Sequence, residues 1–308
     1  MNPPQISSLP RKYQSLLDLA QERYKIHVHL LEALKGGRTG ALLYLVGVTP
    51  TGSSHIAHYI LKLDTTHKYA GMDEGARHTL VLEQAPPLFT EHHVAQLEFE
   101  TRQGDCTAVF YSIAGGSLLQ YHPLAFYERQ SQLESIFRAT NEYIVGEWNQ
   151  DFRFERAVNP WEILEIWSGY RITTSGRIGG FIEEVLQVGA EVGGFLINSQ
   201  VYPNPLSYSR DAALWGNARP IDTITGFQHG DLNITNILVR LDDTDAEIQG
   251  YYLIDFALYQ DRMPLLFDQR YLEMSYLVRE LGRTPFDKWV SFVCGYAEGD
   301  SPNPQAIP

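Results

Sequence analysis

Cysteine is nearly missing from this chain: its 308 residues hold two, Cys106 and Cys294. Two thiols cannot build a disulfide framework, and neither has a partner at a zinc-binding spacing. Both therefore read as small buried apolar residues, and a reducing cytoplasm is the expected setting. Positive charge is short as well. The 24 Lys and Arg against 37 Asp and Glu leave a net charge of −13, which argues against nucleic acid or an anionic membrane surface as main partner and would suit a cationic one. No apolar run approaches the roughly eighteen residues needed to span a bilayer. The start, Met1-Asn2-Pro3-Pro4-Gln5, lacks the basic and then apolar order of a secretory signal. There is no Gly-x-Ser-x-Gly elbow, so a hydrolase triad has no foothold. Histidines are scattered, and His27/His29, His55/His58 and His92/His93 lack a third ligand at a recognisable spacing.

What remains is an ordinary globular composition, 44% apolar and 20% charged, in a chain long enough for one large domain or two lobes with a good core. Its most informative stretch is His229-Gly230-Asp231-Leu232-Asn233-Ile234-Thr235-Asn236, which leads into the apolar run Ile237 to Leu241. Asp242-Asp243-Thr244-Asp245 is turn-like, a second apolar run covers Tyr251 to Ile254, and Asp255-Phe256 follows. Together these predict two antiparallel strands. Asn236 stands just before the first strand and Asp255 just after the second, so in a hairpin rising about 3.3 Å per residue both come out at one end. Asp231 lies in the loop entering that end.

Mg²⁺ takes oxygen ligands, keeps several waters and is usually held by one or two side chains plus substrate phosphates. Asn236 and Asp255 suit that role. A carboxylate near the metal but not bound to it can orient an acceptor hydroxyl and take its proton, which suits Asp231. By contrast, an acidic gap between two strands is most often a solvated turn, and Asp242, Asp243, Asp245 and Glu247 are read so.

The pattern His-x-Asp-x-x-x-x-Asn, then a strand, then Asp-Phe resembles the catalytic loop and metal-binding segment of the protein-kinase-like superfamily. His229-Gly230-Asp231-Leu232 resembles its aminoglycoside phosphotransferase and choline kinase branch. The resemblance implies an α+β fold of two lobes, an N-terminal antiparallel sheet lobe over 1–115 with a hinge at its end and a mainly helical C-terminal lobe over 116–308. It implies ATP and Mg²⁺ as cofactors and a small-molecule acceptor, with His229 a structural residue of the loop whose ring bonds backbone near the metal-binding segment. Asn233 stands where many relatives carry Lys or His.

The N-terminal half offers the other parts such a site needs. Gly36-Gly37-Arg38-Thr39-Gly40 lies between apolar runs, where glycines let backbone amides approach phosphate oxygens. It departs from the Gly-x-Gly-x-x-Gly of protein kinases. Lys62, between Leu61 and Leu63, points to the opposite face of its strand and resembles the strand lysine that pairs with the α- and β-phosphates. Its acid partner is expected on the helical stretch 73–83, at Glu74 by the branch's spacing, with Glu83 the alternative. The strand 107–116 resembles a hinge, with Ser112, Ile113 and Ala114 offering backbone to the adenine edge. Asp268, opening a helix at Leu266 to Glu273, resembles an acid that supports the catalytic loop, and could equally serve as an N-terminal helix carboxylate.

Between Phe256 and Asp268 there is no room for a long activation segment, and no Ala-Pro-Glu. The expected activity is transfer of the γ-phosphate of ATP to a hydroxyl of a small molecule. An alternative belongs to another class. Gly36 to Ala41 and Phe267 to Glu273 also resemble a bacterial kinase-like domain, called ternary-complex-associated, attached to signalling ATPases. On that reading the chain is a nucleotide-binding module, the linker-like ending 301–308 leading to fused or associated signalling domains after residue 308.

Overall fold

The computed structural model describes residues 4–34, 41–65, 74–112, 121–127, 130–168, 171–173, 176–197, 199–210, 219–241, 248–281, 284–285 and 287–288. Gly36 to Gly40, Ile113, Ala114, the acidic turn from Asp242 to Glu247 and Cys294 lie outside them. The fold is mixed α+β. Helix α1 (Arg11–Tyr24) buries Tyr13, Leu16, Leu17 and Ala20, an i, i+3, i+4, i+7 stripe, and ends at Lys25 in the left-handed region,. Strands β1 (Ile26–Leu34), β2 (Leu42–Pro50) and β3 (Ala57–Thr65) follow, then helices α2 (Glu74–Gln84) and α3 (Pro87–His93), then β4 (Leu97–Gln103) and β5 (Cys106–Ser112). The five strands form one antiparallel sheet in the order β1-β2-β3-β5-β4.

Alternation decides what each face of this sheet does. Val28, Leu30, Val46, Val48, Leu61, Leu63, Ala108 and Phe110 pack with Leu16, Leu17 and Ala20 of α1 into one apolar cluster. Lys62, between two of those residues, therefore belongs to the other face, and the pairings Leu43↔Lys62↔Val109 and Leu45↔Ile60↔Tyr111 place Tyr111 on that face too. Cys106 is buried.

Beyond the sheet come β6 (His122–Pro123), α4 (Gln130–Tyr143), β7 (Arg153–Val158), α5 (Pro160–Ser168), α6 (Arg177–Gly180), β8 (Gly194–Ile197), β9 (Gln200–Pro203) and α7 (Pro205–Arg210). After them run β10 (Ile221–Gln228), β11 (Ile237–Leu241), β12 (Ile248–Leu253), β13 (Gln260–Pro264) and α8 (Phe267–Leu281). The strands pair as β13-β10-β7, β12-β11-β6 and β8-β9. The described residues of this half are thus less purely helical than expected, with three small sheets among the helices. Helix α4 keeps α-geometry to Tyr143, and the chain then widens into a π-turn over Ile144–Trp148.

A second apolar cluster joins Val81 of α2 and Phe89 of α3 to Ile136, Trp148, Leu232, Val239, Tyr251, Leu253, Phe256 and Leu272. Helices α2 and α3, though inserted between strands of the first sheet, are thereby anchored on the β11–β12 side. Among the described residues no helix is long and apolar enough to cross a membrane.

Candidate functional site

The predicted hairpin forms, β11 pairing antiparallel with β12 from Ile237↔Leu253 through Arg240↔Gly250. It continues one residue further at its open end, where Ile254 N–H donates to the Asn236 carbonyl at 3.1 Å. Asn236 and Asp255 are therefore brought together at one end. Asp255 has φ 67, the left-handed region that Asp tolerates better than most residues and that turns its side chain out of the strand direction.

The loop 229–236 is pinned from several sides. Nε2 of His229 lies 2.8 Å from the Ile254 carbonyl, and its Nδ1 accepts from Asp231 N–H at 3.3 Å. Buried Asp268, at the start of α8, accepts the amides of His229 and Gly230. It thus serves both as a helix-start carboxylate and as the support of the loop. Burial raises its carboxyl to about 6, against the lowering by His229 and those two amides. Gly230 sits at φ 80, and a Cβ there would fall 2.0 Å from the Leu258 carbonyl oxygen, so only glycine lets the loop approach the Asp255 segment so closely. Asn236 Nδ2 donates to the Asp231 carbonyl at 2.9 Å and lies 3.5 Å from Oδ2 of Asp231. Asp231, Asn236 and Asp255 thus share one small region, as their spacing suggested.

Lys62 reaches the same region from β3. Its Nζ is 2.6 Å from Oε2 of Glu74 and 3.0 Å from Oδ2 of Asp255, and the side chain is 10% exposed. Glu83 is exposed, so of the two acids weighed for Lys62 it is Glu74, at the start of α2, that makes the contact. Burial would lower the Lys62 ammonium, but Glu74 and Asp255 outweigh it and hold it raised. Asp255 is lowered by Lys62 in spite of its own burial. Glu74 is pushed up to about 7, first by burial and next by Asp255, against the pull of Lys62. Two acids thus face one ammonium, and Glu74 gives up its proton only as pH rises through about 7.

Three neighbours of this cluster escaped the sequence reading. The buried Tyr111 hydroxyl donates to Oε1 of Glu74. Arg77 donates to the Tyr259 carbonyl, tying α2 to the chain beyond Asp255. His78 is buried with Nε2 2.7 Å from the Ala95 carbonyl and its ring 5.1 Å from that of Phe256, and burial pushes its imidazole down to about 4. The signal for the last two was present: Glu74, Arg77 and His78 stand at i, i+3 and i+4, one face of a helix. Ser112, the one described residue of the expected hinge contacts, donates its amide to the Gln96 carbonyl at 2.8 Å and accepts from Gln96 N–H on its hydroxyl at 3.1 Å. The glycine loop 36–40, Ile113 and Ala114 lie outside the described residues.

Among the described residues no three His, Cys, Asp or Glu side chains group as a closed metal cage. An open site of one carboxylate, Asp255, and one amide oxygen, Asn236, fits Mg²⁺, which relies on substrate phosphates and water for its remaining ligands. Compared with known proteins, the chain matches no family model and significantly matches no curated protein.

Proposed function

We propose that this chain is a two-lobed, kinase-like phosphotransferase of the aminoglycoside phosphotransferase type, passing the γ-phosphate of ATP to a hydroxyl of a small molecule. One observation carries the reading. A lysine on the third strand of an antiparallel sheet pairs at 2.6 Å with a glutamate on the following helix and at 3.0 Å with the Asp after the hairpin, the arrangement by which kinases hold ATP phosphates and their metal. Lys62 binds the phosphates as a fixed positive charge, held by Glu74. Asn236 and Asp255 would hold Mg²⁺, which when bound neutralises charge developing on the transferred group. Asp231 orients the acceptor hydroxyl and takes its proton, and His229 and Asp268 keep its loop in place. Such catalysis is positioning and electrostatics, with no covalent work for the protein.

Asn233 favours a second reading, a module that binds nucleotide without turnover. Its Nδ2 donates to the Asp231 carbonyl at 3.1 Å and its Oδ1 accepts from Thr235 N–H at 2.9 Å, so this side chain is engaged within its own loop. Thermal unfolding with and without Mg-ATP tests both readings, since ligand at a hundred times Kd adds about 2.7 kcal/mol. No shift in melting temperature would sink nucleotide binding. ATP consumption against hydroxylated and aminated acceptors then separates them. Asp231→Ala is expected to lower turnover by ~10² to 10⁴-fold while the thermal shift persists. Turnover untouched by that change removes Asp231 from its role, and a shift without turnover on any acceptor selects the binding module.

A further inference from the structure

A cavity of about 370 Å³ lies against β12, bounded by α3, the π-turn Ile144–Trp148 and Tyr121, just before β6. None of Lys62, Glu74, Asp231, Asn236 and Asp255 lines it. Its lining includes Tyr121, Tyr143 and Tyr252, as well as Tyr251, which is itself fully buried, together with His92, His93 and Glu147, and among the described residues neither lysine nor arginine. The rings form two groups, because Tyr251 and Tyr252 are neighbours on β12 and face opposite sides of it,. His93 stacks on Tyr251 at 4.2 Å and lies 4.8 Å from Tyr143, while Tyr121 meets Tyr252 edge-on at 5.2 Å.

Glu147 is the one carboxylate among the described lining residues, which also include the imidazoles of His92 and His93. Nε2 of His93 lies 3.8 Å from Glu147, but burial pushes the His93 imidazole down to about 4, so at neutral pH that contact is not an ion pair. Glu147, 40% exposed on its side chain, has no Lys or Arg partner among the described residues. A π-turn is a rare backbone form that recurs at functional sites, and this one begins beside Tyr143 and contains Glu147. Clustered tyrosine faces attract a cation within about 6 Å of a ring centre, most strongly when it is shielded from water.

We propose that this cavity is a binding site for an organic ammonium ion, with the tyrosine rings as its walls and Glu147 as its counter-charge, separate from the Lys62 cluster and independent of any phosphotransferase activity. The probe is tetramethylammonium, followed by proton NMR of its single methyl signal, against tert-butanol, which is similar in size and carries no charge. Saturable binding with Kd below about 10 mM is expected, with the alcohol at least about tenfold weaker. Glu147→Gln and Tyr143→Ala, both at positions open enough to tolerate change, should each weaken the ion about tenfold, while Asp231→Asn leaves its affinity within about twofold. Equal affinity for ion and alcohol, or an unchanged Kd in Glu147→Gln, would overturn the cation assignment. Loss in Asp231→Asn with retention in Glu147→Gln would put the ion at the Lys62 cluster and overturn the separate site. No binding at about 100 mM would overturn the proposal outright.

Discussion

Glu74 is the residue on which the electrostatics of the Lys62 cluster turn. An acid whose folded pKa lies above its unfolded value holds its proton more tightly in the folded state. The stability this confers is whole below the unfolded value of 4.5 and is lost as pH rises through about 7,. Between those limits Glu74 should cost the protein about 1.4 kcal/mol for each pH unit. Urea unfolding between about pH 5 and pH 7 should show this slope in the parent and its flattening in Glu74→Gln; equal slopes would mean that Glu74 carries no proton in the folded state. The second-largest cause of the rise is Asp255. If a divalent cation draws on the Asp255 charge, as the proposed function requires, Glu74 must become more acidic and give up part of its proton. Calorimetry of Mg-ATP binding near pH 7 in buffers of different ionisation enthalpy should therefore register proton release, absent in Glu74→Gln. Tyr111 acts in the same direction as Lys62, since its hydrogen bond favours the ionised carboxylate. Tyr111→Phe should move the unfolding profile to higher pH and cost about 1 to 3 kcal/mol, the usual loss when a buried acceptor is left short of a donor.

Among the elements, the loop 229–236 is the most tightly specified. Its amides at His229 and Gly230 have no strand or helix to receive them, and Asp268 takes both. Asp268→Ala leaves those two buried amides without that acceptor, at about 1 to 3 kcal/mol each. Gly230→Ala meets backbone rather than a movable side chain, in a region of φ that L-residues avoid, so a loss of at least about 2 kcal/mol is expected by urea unfolding. A loss under about 0.5 kcal/mol would show that the loop can withdraw from Leu258. These constraints explain what was legible beforehand. The hairpin could be read because two apolar runs with a turn between them fix its ends, and the chemistry-bearing residues stand at those ends rather than inside the strands. The sheet β13-β10-β7 could not. Its strand β7, Arg153 to Val158, is mostly exposed, has no apolar alternation to announce a register, and pairs with residues such as Thr223 and Thr225 far along the chain. The π-turn was equally silent, because its residues continue the helical spacing of α4 and only packing distinguishes the wider turn. Tyr111 was missed because a tyrosine in a buried strand reads as core, and nothing local reveals the acid that meets its hydroxyl.

At the scale of the whole molecule, the described residues hold three apolar clusters, the two larger lying one beneath the five-stranded sheet and one around the β11–β12 hairpin. Helix α2 belongs by sequence to the sheet but by packing to the hairpin's cluster, through Val81. The Lys62–Glu74 and Lys62–Asp255 pairs therefore join a strand of the first cluster to two elements anchored in the second. A ligand that needs Lys62 together with Asp255 must bind across that division, and the stabilisation it gives is shared by both sides. Hydrogen exchange supplies the test, since a ligand at a hundred times Kd adds about 2.7 kcal/mol to every opening that destroys its site. With Mg-ATP bound, protection should rise together in β3, in α2 and in β12, by up to about a hundredfold wherever exchange requires the site to open. In Lys62→Met, a residual rise should be confined to the hairpin, because the strand has lost its hold on the ligand. Protection limited to β11 and β12 in the unaltered protein would remove Lys62 from the binding site and with it the claim that the sheet takes part. Protection in β3 alone would remove Asp255 and Asn236 instead.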